Sequence, residues 1–369
     1  MSAPEASSST ITALQNICRA ASNAGASDIH FKAGSPPLLR VNGQLEVMPR
    51  VGALDKEHCA KMAWDIMSKG QRERFKRTND IDFSWSIPGL GRFRVNVFRQ
   101  RQQIGMVLRA IPGTVMTIAE LGLPDVLEKI ASEPRGLVLV TGTTGSGKST
   151  TLAAIVEQIN RTRASHILTI EDPIEFAFRD QRSVINQREI GVDTADFPTA
   201  LRAALRQDPD TILVGELRDH ASLEIALAAA ETGHLVLSTI HSMNAPETIN
   251  RIVGFFEPHA QPQVRRQLGA TVRAIISQRL VPRQGGGRIA ALEIMLNTGS
   301  VYECIVDATR TKEIPDLIAE GHEQYGSQTF DQALFAFIEQ QTITVPDAMR
   351  YATSPDNLSL RLSGIGSMS

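Results

Sequence analysis

The run Gly142-Thr143-Thr144-Gly145-Ser146-Gly147-Lys148-Ser149-Thr150 satisfies the pattern G-x-x-x-x-G-K-[ST]. It follows an apolar stretch at residues 137–140 and precedes a helical pattern that begins near Ser149. A phosphate-binding loop needs that strand–loop–helix setting. Glycines leave room for backbone amides to curl around a phosphate, and the helix start presents partial positive charge to it. Lys148 is placed to reach the β- and γ-phosphates of a nucleoside triphosphate, and the Ser149 hydroxyl to ligate Mg2+.

Further apolar runs at residues 167–170, 211–214 and 235–239 are short and alternate with helical patterns. Parallel strands with both faces covered by helices have this appearance. The fold class is therefore α/β around the loop, with ligands met at the C-terminal edge of the sheet. Upstream, Ile11, Leu14, Ile17 and Ala21 recur at a helical period, and residues 38–41 and 45–47 flank the hairpin signal Asn42-Gly43. Helical patterns over 55–77 and strand patterns at 81–87, 92–98 and 107–111 complete a small α+β domain. The expected division is a disordered leader at 1–10, an N-terminal domain at 11–110 and a linker at 111–116. The nucleotide domain with short C-terminal helices follows at 117–362, and a disordered tail at 363–369.

A chain of 369 residues has room for two such domains. Its net charge of -2 supplies no global attraction to nucleic acid. No run approaches the roughly 18 apolar residues of a spanning helix, and Met1 to Thr10 lacks the features of a signal peptide, so a cytoplasmic location is expected. Cys18, Cys59 and Cys304 form no CxxC pair, which argues against a disulfide framework or a structural zinc site.

Glu216 ends the hydrophobic run Thr211-Ile-Leu-Val-Gly, where an acid holds magnesium through water or activates the attacking water. Glu171, Asp172 and Glu175, in Glu-Asp-Pro-Ile-Glu, follow another strand and offer a general base and support for the metal. His234 and His241 flank the strand at 235–239; His241 shares the edge of the carboxylates, whereas His234 has an equal reading as a structural residue. Arg92, Arg94, Arg99, Arg101 and Arg109 lie on or beside strands of the first domain. An arginine from another domain or subunit commonly offsets charge on a transferring phosphoryl group, but spacing alone singles none of them out.

The phosphate loop, Glu-Asp-Pro-Ile-Glu, the Leu-Arg-Gln-Asp-Pro-Asp stretch before Gly215-Glu216, and Gly233-His234 to His241 occur in one order. With them the chain resembles the secretion-superfamily hexameric ATPases, in particular the type IV pilus retraction motors of the PilT/PilU family, from about Ala26 to Gln332. The resemblance implies a PAS-like N-terminal domain followed by a RecA-like ATPase domain that binds ATP and Mg2+. It casts Lys148 and Ser149 as the Walker A pair, Glu175 as the catalytic glutamate, Glu216 as the Walker B acid and His234 with His241 as the histidine box. Arg94 and Arg109 match the arginines that the N-terminal domain offers to the nucleotide. A homo-hexamer is implied, working on an inner-membrane pilus platform protein, with a paralogous motor as a further partner and no nucleic acid. Its place would be peripheral, at the inner face of the inner membrane. The short N-terminus and the missing CxxC favour a retraction motor over an assembly or type II secretion ATPase. The segment Ala-Ile-Arg-Asn-Leu-Ile-Arg-Glu is absent near 300–312, which leans toward PilU or a divergent paralogue. A regulatory nucleotide-binding module is the rival from another class.

Overall fold

The computed structural model describes residues 5–41 and 43–364. It divides into two compact units: Met1–Thr114 together with Glu175–Ala177, and Val115–Ile174 together with Phe178–Ser369. Residues 1–4 of the expected leader, Asn42 of the expected hairpin turn and residues 365–369 of the expected tail lie outside the described residues.

The first unit holds helices α1 (Glu5–Asn23), α2 (Lys56–Ile66) and α3 (Lys69–Thr78). Its strands are β1 (Asp28–Phe31), β2 (Leu38–Val41), β3 (Gln44–Val47), β4 (Asp80–Ile87), β5 (Gly91–Gln100) and β6 (Gln103–Ile111). They form one antiparallel sheet in the order β3-β2-β1-β6-β5-β4. Helix α1 corrects the expected leader: it begins at Glu5, because no Gly or Pro interrupts residues 5–10 and the helix is anchored downstream by buried Leu14, Cys18 and Ala21. One face of the sheet buries Ile29, Val95, Val97, Met106 and Leu108 in the core shared with Met62, Ala63 and Phe75 of α2 and α3. The other face is polar. Across β2, β1, β6, β5 and β4, the register sets Arg40, Asp28, Arg109, Arg94 and Ser84 side by side.

The second unit is the expected α/β domain. Its strands are β7 (Gly136–Thr141), β8 (His166–Glu171), β9 (Val184–Glu189), β10 (Thr211–Val214), β11 (Leu235–Ile240), β12 (Val272–Pro282) and β13 (Arg288–Leu296). The order is β13-β12-β7-β11-β10-β8-β9, parallel throughout except for the antiparallel β12–β13 pair. The helices are α4 (Val126–Ala131), α5 (Lys148–Thr162), α6 (Phe197–Ala204), α7 (His220–Glu231), α8 (Ala245–Gly254) and α9 (Gln261–Thr271). Toward the C-terminus come α10 (Gly299–Val306), α11 (Ile314–Glu320), α12 (His322–Tyr325), α13 (Phe330–Glu339), α14 (Val345–Tyr351) and α15 (Pro355–Leu362). Alternate residues of β7 serve opposite faces: Leu137 and Leu139 pack with α6 to α11, Val138 and Val140 with α4 and α5. Helices α13 to α15 pack on Val281 and Ala291 of the β12–β13 pair as a separate cluster.

Asp28 holds the polar row of the first unit together. It is 5% exposed and accepts hydrogen bonds from Arg109 Nε at 2.7 Å and Ser27 Oγ at 2.8 Å. Burial alone would raise its carboxyl, but the bonds from Arg109 and Ser27 prevail and hold it below the ordinary value of 3.8, with Arg109 and His30 adding attraction. A depressed carboxyl contributes stability that is complete above its unfolded value and is lost as pH falls through the folded value. Asp28→Asn is therefore expected to lower chemical-denaturation stability at neutral pH, and the gap from the native chain should narrow as pH falls below about 4. A gap that stays constant over that range would contradict this assignment.

Candidate nucleotide-binding site

Strand β7 ends at Thr141 and α5 begins at Lys148, so the predicted phosphate loop spans the turn between them. Its glycines are required by geometry. Gly142 has φ of 141°, and a Cβ there would lie 2.5 Å from the Gln278 carbonyl oxygen and 2.6 Å from Ser146 Oγ. At Gly147, with φ of 90°, a Cβ would lie 2.8 Å from Gln278 Nε2. Thr143, Thr144 and Gly145 are exposed at the turn, whereas Ser146 and Lys148 are buried. Lys148 Nζ folds back along the loop and donates to the carbonyls of Gly142 at 2.9 Å and Thr143 at 3.0 Å.

The start of α5 differs from those of α6, α7 and α8. Asp196, Asp219 and Asn244 cap α6, α7 and α8 through their side chains, but α5 has Gly147 at the cap position and no side-chain cap. A helix start left open in this way suits an anion, which the opening amides and the helix dipole both stabilise. Ser149 and Thr150 sit half-buried in its first turn. The Ser149 hydroxyl and the Glu216 carboxylate are hard oxygen donors, and they fit Mg2+ that is completed by phosphate and water. No cluster of three or more His, Cys, Asp or Glu able to hold a metal occurs among the described residues.

Glu216 and His241 come together at the C-terminal edge of the sheet, beyond the adjacent parallel strands β10 and β11. His241 Nε2 is 3.2 Å from Glu216 Oε1. The other oxygen, Glu216 Oε2, is 2.6 Å from Arg218 Nη2, a residue that no motif singled out. The bond to Glu216 strengthens the hold of Arg218 on its proton. Of the carboxylates after β8, Glu171 is buried and turned back into the sheet, accepting from Thr169 Oγ1 at 2.7 Å and Gln187 Nε2 at 3.1 Å. Asp172 and Glu175 are exposed beyond the strand end.

The two histidines stand at opposite ends of β11. His234 lies at the start of β11, its Nδ1 3.0 Å from the Ala229 carbonyl at the end of α7. The length of β11, about 20 Å, separates it from the edge that carries His241, so the structure does not bring His234 to the loop. Arg94 and Arg109 are cross-strand neighbours in the first unit. Arg94 Nε is 3.6 Å from Asp82, and Arg109 commits its Nε to Asp28 while 66% of its side chain stays exposed.

Sequence reasoning missed Gln278. From β12 it donates through Nε2 to the Ser146 carbonyl at 2.7 Å and accepts through Oε1 from Thr151 Oγ1 at 2.7 Å. One amide thus joins the phosphate loop to the first turn of α5. No motif signals it, because residues 274–278 of β12 are all buried and show no alternation.

Residues 4–312 match the family described as Type II/IV secretion system protein. The chain is 44% identical over 333 residues to the Type IV pilus retractation ATPase PilT of Pseudomonas aeruginosa, covering 90% of this chain and 96% of that one. It is 42% identical over 340 residues to the Type IV pilus ATPase PilU of the same organism, covering 92% and 88%. The chain belongs to the PilT/PilU family of type IV pilus ATPases. Among solved structures, the pilus retraction motor PilT with bound ADP matches with a TM-score of 0.86 and 42% identity, covering 93% of this chain and 98% of that one. The ATPase DotB of Legionella pneumophila matches with a TM-score of 0.79 and 28% identity, covering 96% of each. Identities of 44% and 42% do not separate PilT from PilU, so the lean toward PilU gains nothing from them.

Gln278→Ala removes two hydrogen bonds, each worth about 1 kcal/mol, and is expected to weaken ADP binding roughly tenfold in a fluorescent-nucleotide titration. Unchanged affinity would contradict the role assigned to Gln278.

Proposed function

We propose that this chain is an ATP-hydrolysing motor that assembles as a homo-hexamer and powers type IV pilus retraction. The observation that carries the proposal is the open start of α5 at the phosphate loop, with Glu216 and His241 joined at the same sheet edge, in a member of this family. ATP would place its phosphates against the amides of α5, drawing Lys148 Nζ from the carbonyls of Gly142 and Thr143 to the β- and γ-oxygens. Ser149 and Glu216 would hold magnesium, which supplies positive charge against the developing negative charge when bound. Glu175 would accept the proton of the attacking water, and His241 would orient Glu216 and respond to the γ-phosphate.

Arg94 and Arg109 would complete the site from a neighbouring subunit. Fixing Nε of Arg109 on Asp28 leaves the rest of a mostly exposed guanidinium to meet phosphate oxygens. The force would pass to an inner-membrane platform protein from the cytoplasmic side. No helix among the described residues is long and apolar enough to cross a membrane. An accessory motor of the PilU kind is the second reading, motivated by the absence of the segment Ala-Ile-Arg-Asn-Leu-Ile-Arg-Glu near 300–312. A pilus assembly ATPase would use the same chemistry.

Lys148→Ala is expected to cut phosphate release at least about 100-fold, and cells carrying it should keep their pili but fail to twitch. Cells without pili would point to an assembly motor, and normal twitching would contradict the proposal. Arg109→Ala should lower turnover at saturating ATP more than it raises KM, because the interaction belongs to the transition state. Full activity in a strictly monomeric preparation would rule out a site shared between subunits.

A further inference from the structure

We propose that Glu293 is a positioning residue for His241, acting through the turn between β11 and α8. The proposal rests on the reading of His241 as a working partner of Glu216. His241, Ser242, Met243 and Asn244 form this turn, and its polar groups are tied in sequence. The Ser242 and Thr248 hydroxyls lie 2.7 Å apart, and Thr248 Oγ1 donates to the Asn244 carbonyl at 2.7 Å. Met243 N donates to Glu247 Oε2 at 3.0 Å, and Glu247 N donates to Asn244 Oδ1 at 2.9 Å. These bonds stiffen the turn that carries His241 into α8, because the side chains of Ser242, Asn244, Glu247 and Thr248 all close on groups within the same stretch.

That turn also needs an anchor outside itself. His241 has a side chain 38% exposed, so packing alone does not hold its ring against Glu216. The amide of Ala245, first residue of α8, is not used by the Asn244 cap, which serves Glu247. Ala245 N donates instead to Glu293 Oε1 at 2.8 Å, across from β13. Ser277 Oγ of β12, directly opposite Glu293 in the register, donates to the same oxygen at 3.2 Å. Glu293 is 6% exposed among the apolar residues 289–296 of β13, and burial pushes its carboxyl above the ordinary range against the lowering effects of Ala245, Ser277 and Arg279. A buried carboxyl is costly, and at this place its acceptor oxygen sets where α8 begins. The neighbouring residue of Ser277 in β12 is Gln278, which holds the phosphate loop. The same strand pair therefore sets the phosphate loop on one side and the histidine turn on the other.

The test compares Glu293→Asp and Glu293→Gln in the full hexameric chain, with phosphate release, fluorescent-ADP affinity and melting temperature measured together. Asp keeps the charge but is one methylene too short to meet Ala245 N, and Gln keeps an acceptor oxygen at the right length. Glu293→Asp is expected to lower kcat about tenfold, since a displacement on the order of 1 Å suffices for such a loss, with ADP affinity within about twofold. Glu293→Gln should stay within about threefold of the native rate. Added to His241→Ala, Glu293→Asp should cause no further loss. Losses that multiply, an ADP affinity that falls in step with kcat, or a native rate in Glu293→Asp beside a slow His241→Ala would each overturn this inference alone. A native rate in His241→Ala would instead overturn the reading of His241 beneath it. Should Glu293→Asp fail to fold, Ser277→Ala removes the hydroxyl that orients Glu293 and carries the same test, with an expected loss of about threefold in kcat and none in ADP affinity.

Discussion

A helix start without a side-chain cap, facing a loop that only glycine can follow, is the constraint on which the rest of the structure depends. At α6, α7 and α8, the side chains of Asp196, Asp219 and Asn244 each accept from an opening amide of the helix. At α5 the cap position is Gly147, and the amides are left for an anion. The close approach of Gln278 makes Gly142 and Gly147 irreplaceable, since a Cβ at either would fall within 3 Å of it. In the proposed reading, nucleotide recognition is built from backbone; β12 supplies the wall against which that backbone is set.

Parallel topology does the remaining work of assembly. Because β7, β11, β10 and β8 run the same way, their C-terminal ends deliver the loop, His241, Glu216 and Asp172 to one edge. Arg218, Glu216 and His241 stand in contact at that edge. In the first unit a different logic applies, in which cross-strand register places Arg40, Asp28, Arg109 and Arg94 in a single row. Buried Asp28 fixes the orientation of that row through Arg109.

What could be read in the residues beforehand was what has local chemistry. The phosphate loop and the four strands around it were legible because motif and apolar run coincide, and the structure places them as β7, β8, β10 and β11. Strands β12 and β13 were not, since an antiparallel pair added at the side of a parallel sheet, with β12 buried on both faces, shows no period of two. Gln278 and Glu293 were lost with them, being contacts distant in sequence with no pattern of their own. Arg218 was passed over because a charged residue after a strand end is ordinary until its partner is known. His234 was legible as the far end of the strand, because a parallel sheet sends the start of β11 to the edge away from the loop. The helical leader from Glu5 followed from its anchorage downstream, where composition alone suggested disorder.

The central claim is that the edge formed by Glu216 and His241 turns a nucleotide-gripping loop into a hydrolase. The most direct measurement is phosphate release from ATP by a Glu216→Gln chain, taken beside its affinity for ADP. Hydrolysis is expected to fall about 100-fold while ADP affinity stays within about twofold, because the substitution keeps the shape and removes the charge. Hydrolysis at the native rate in that variant would contradict the account.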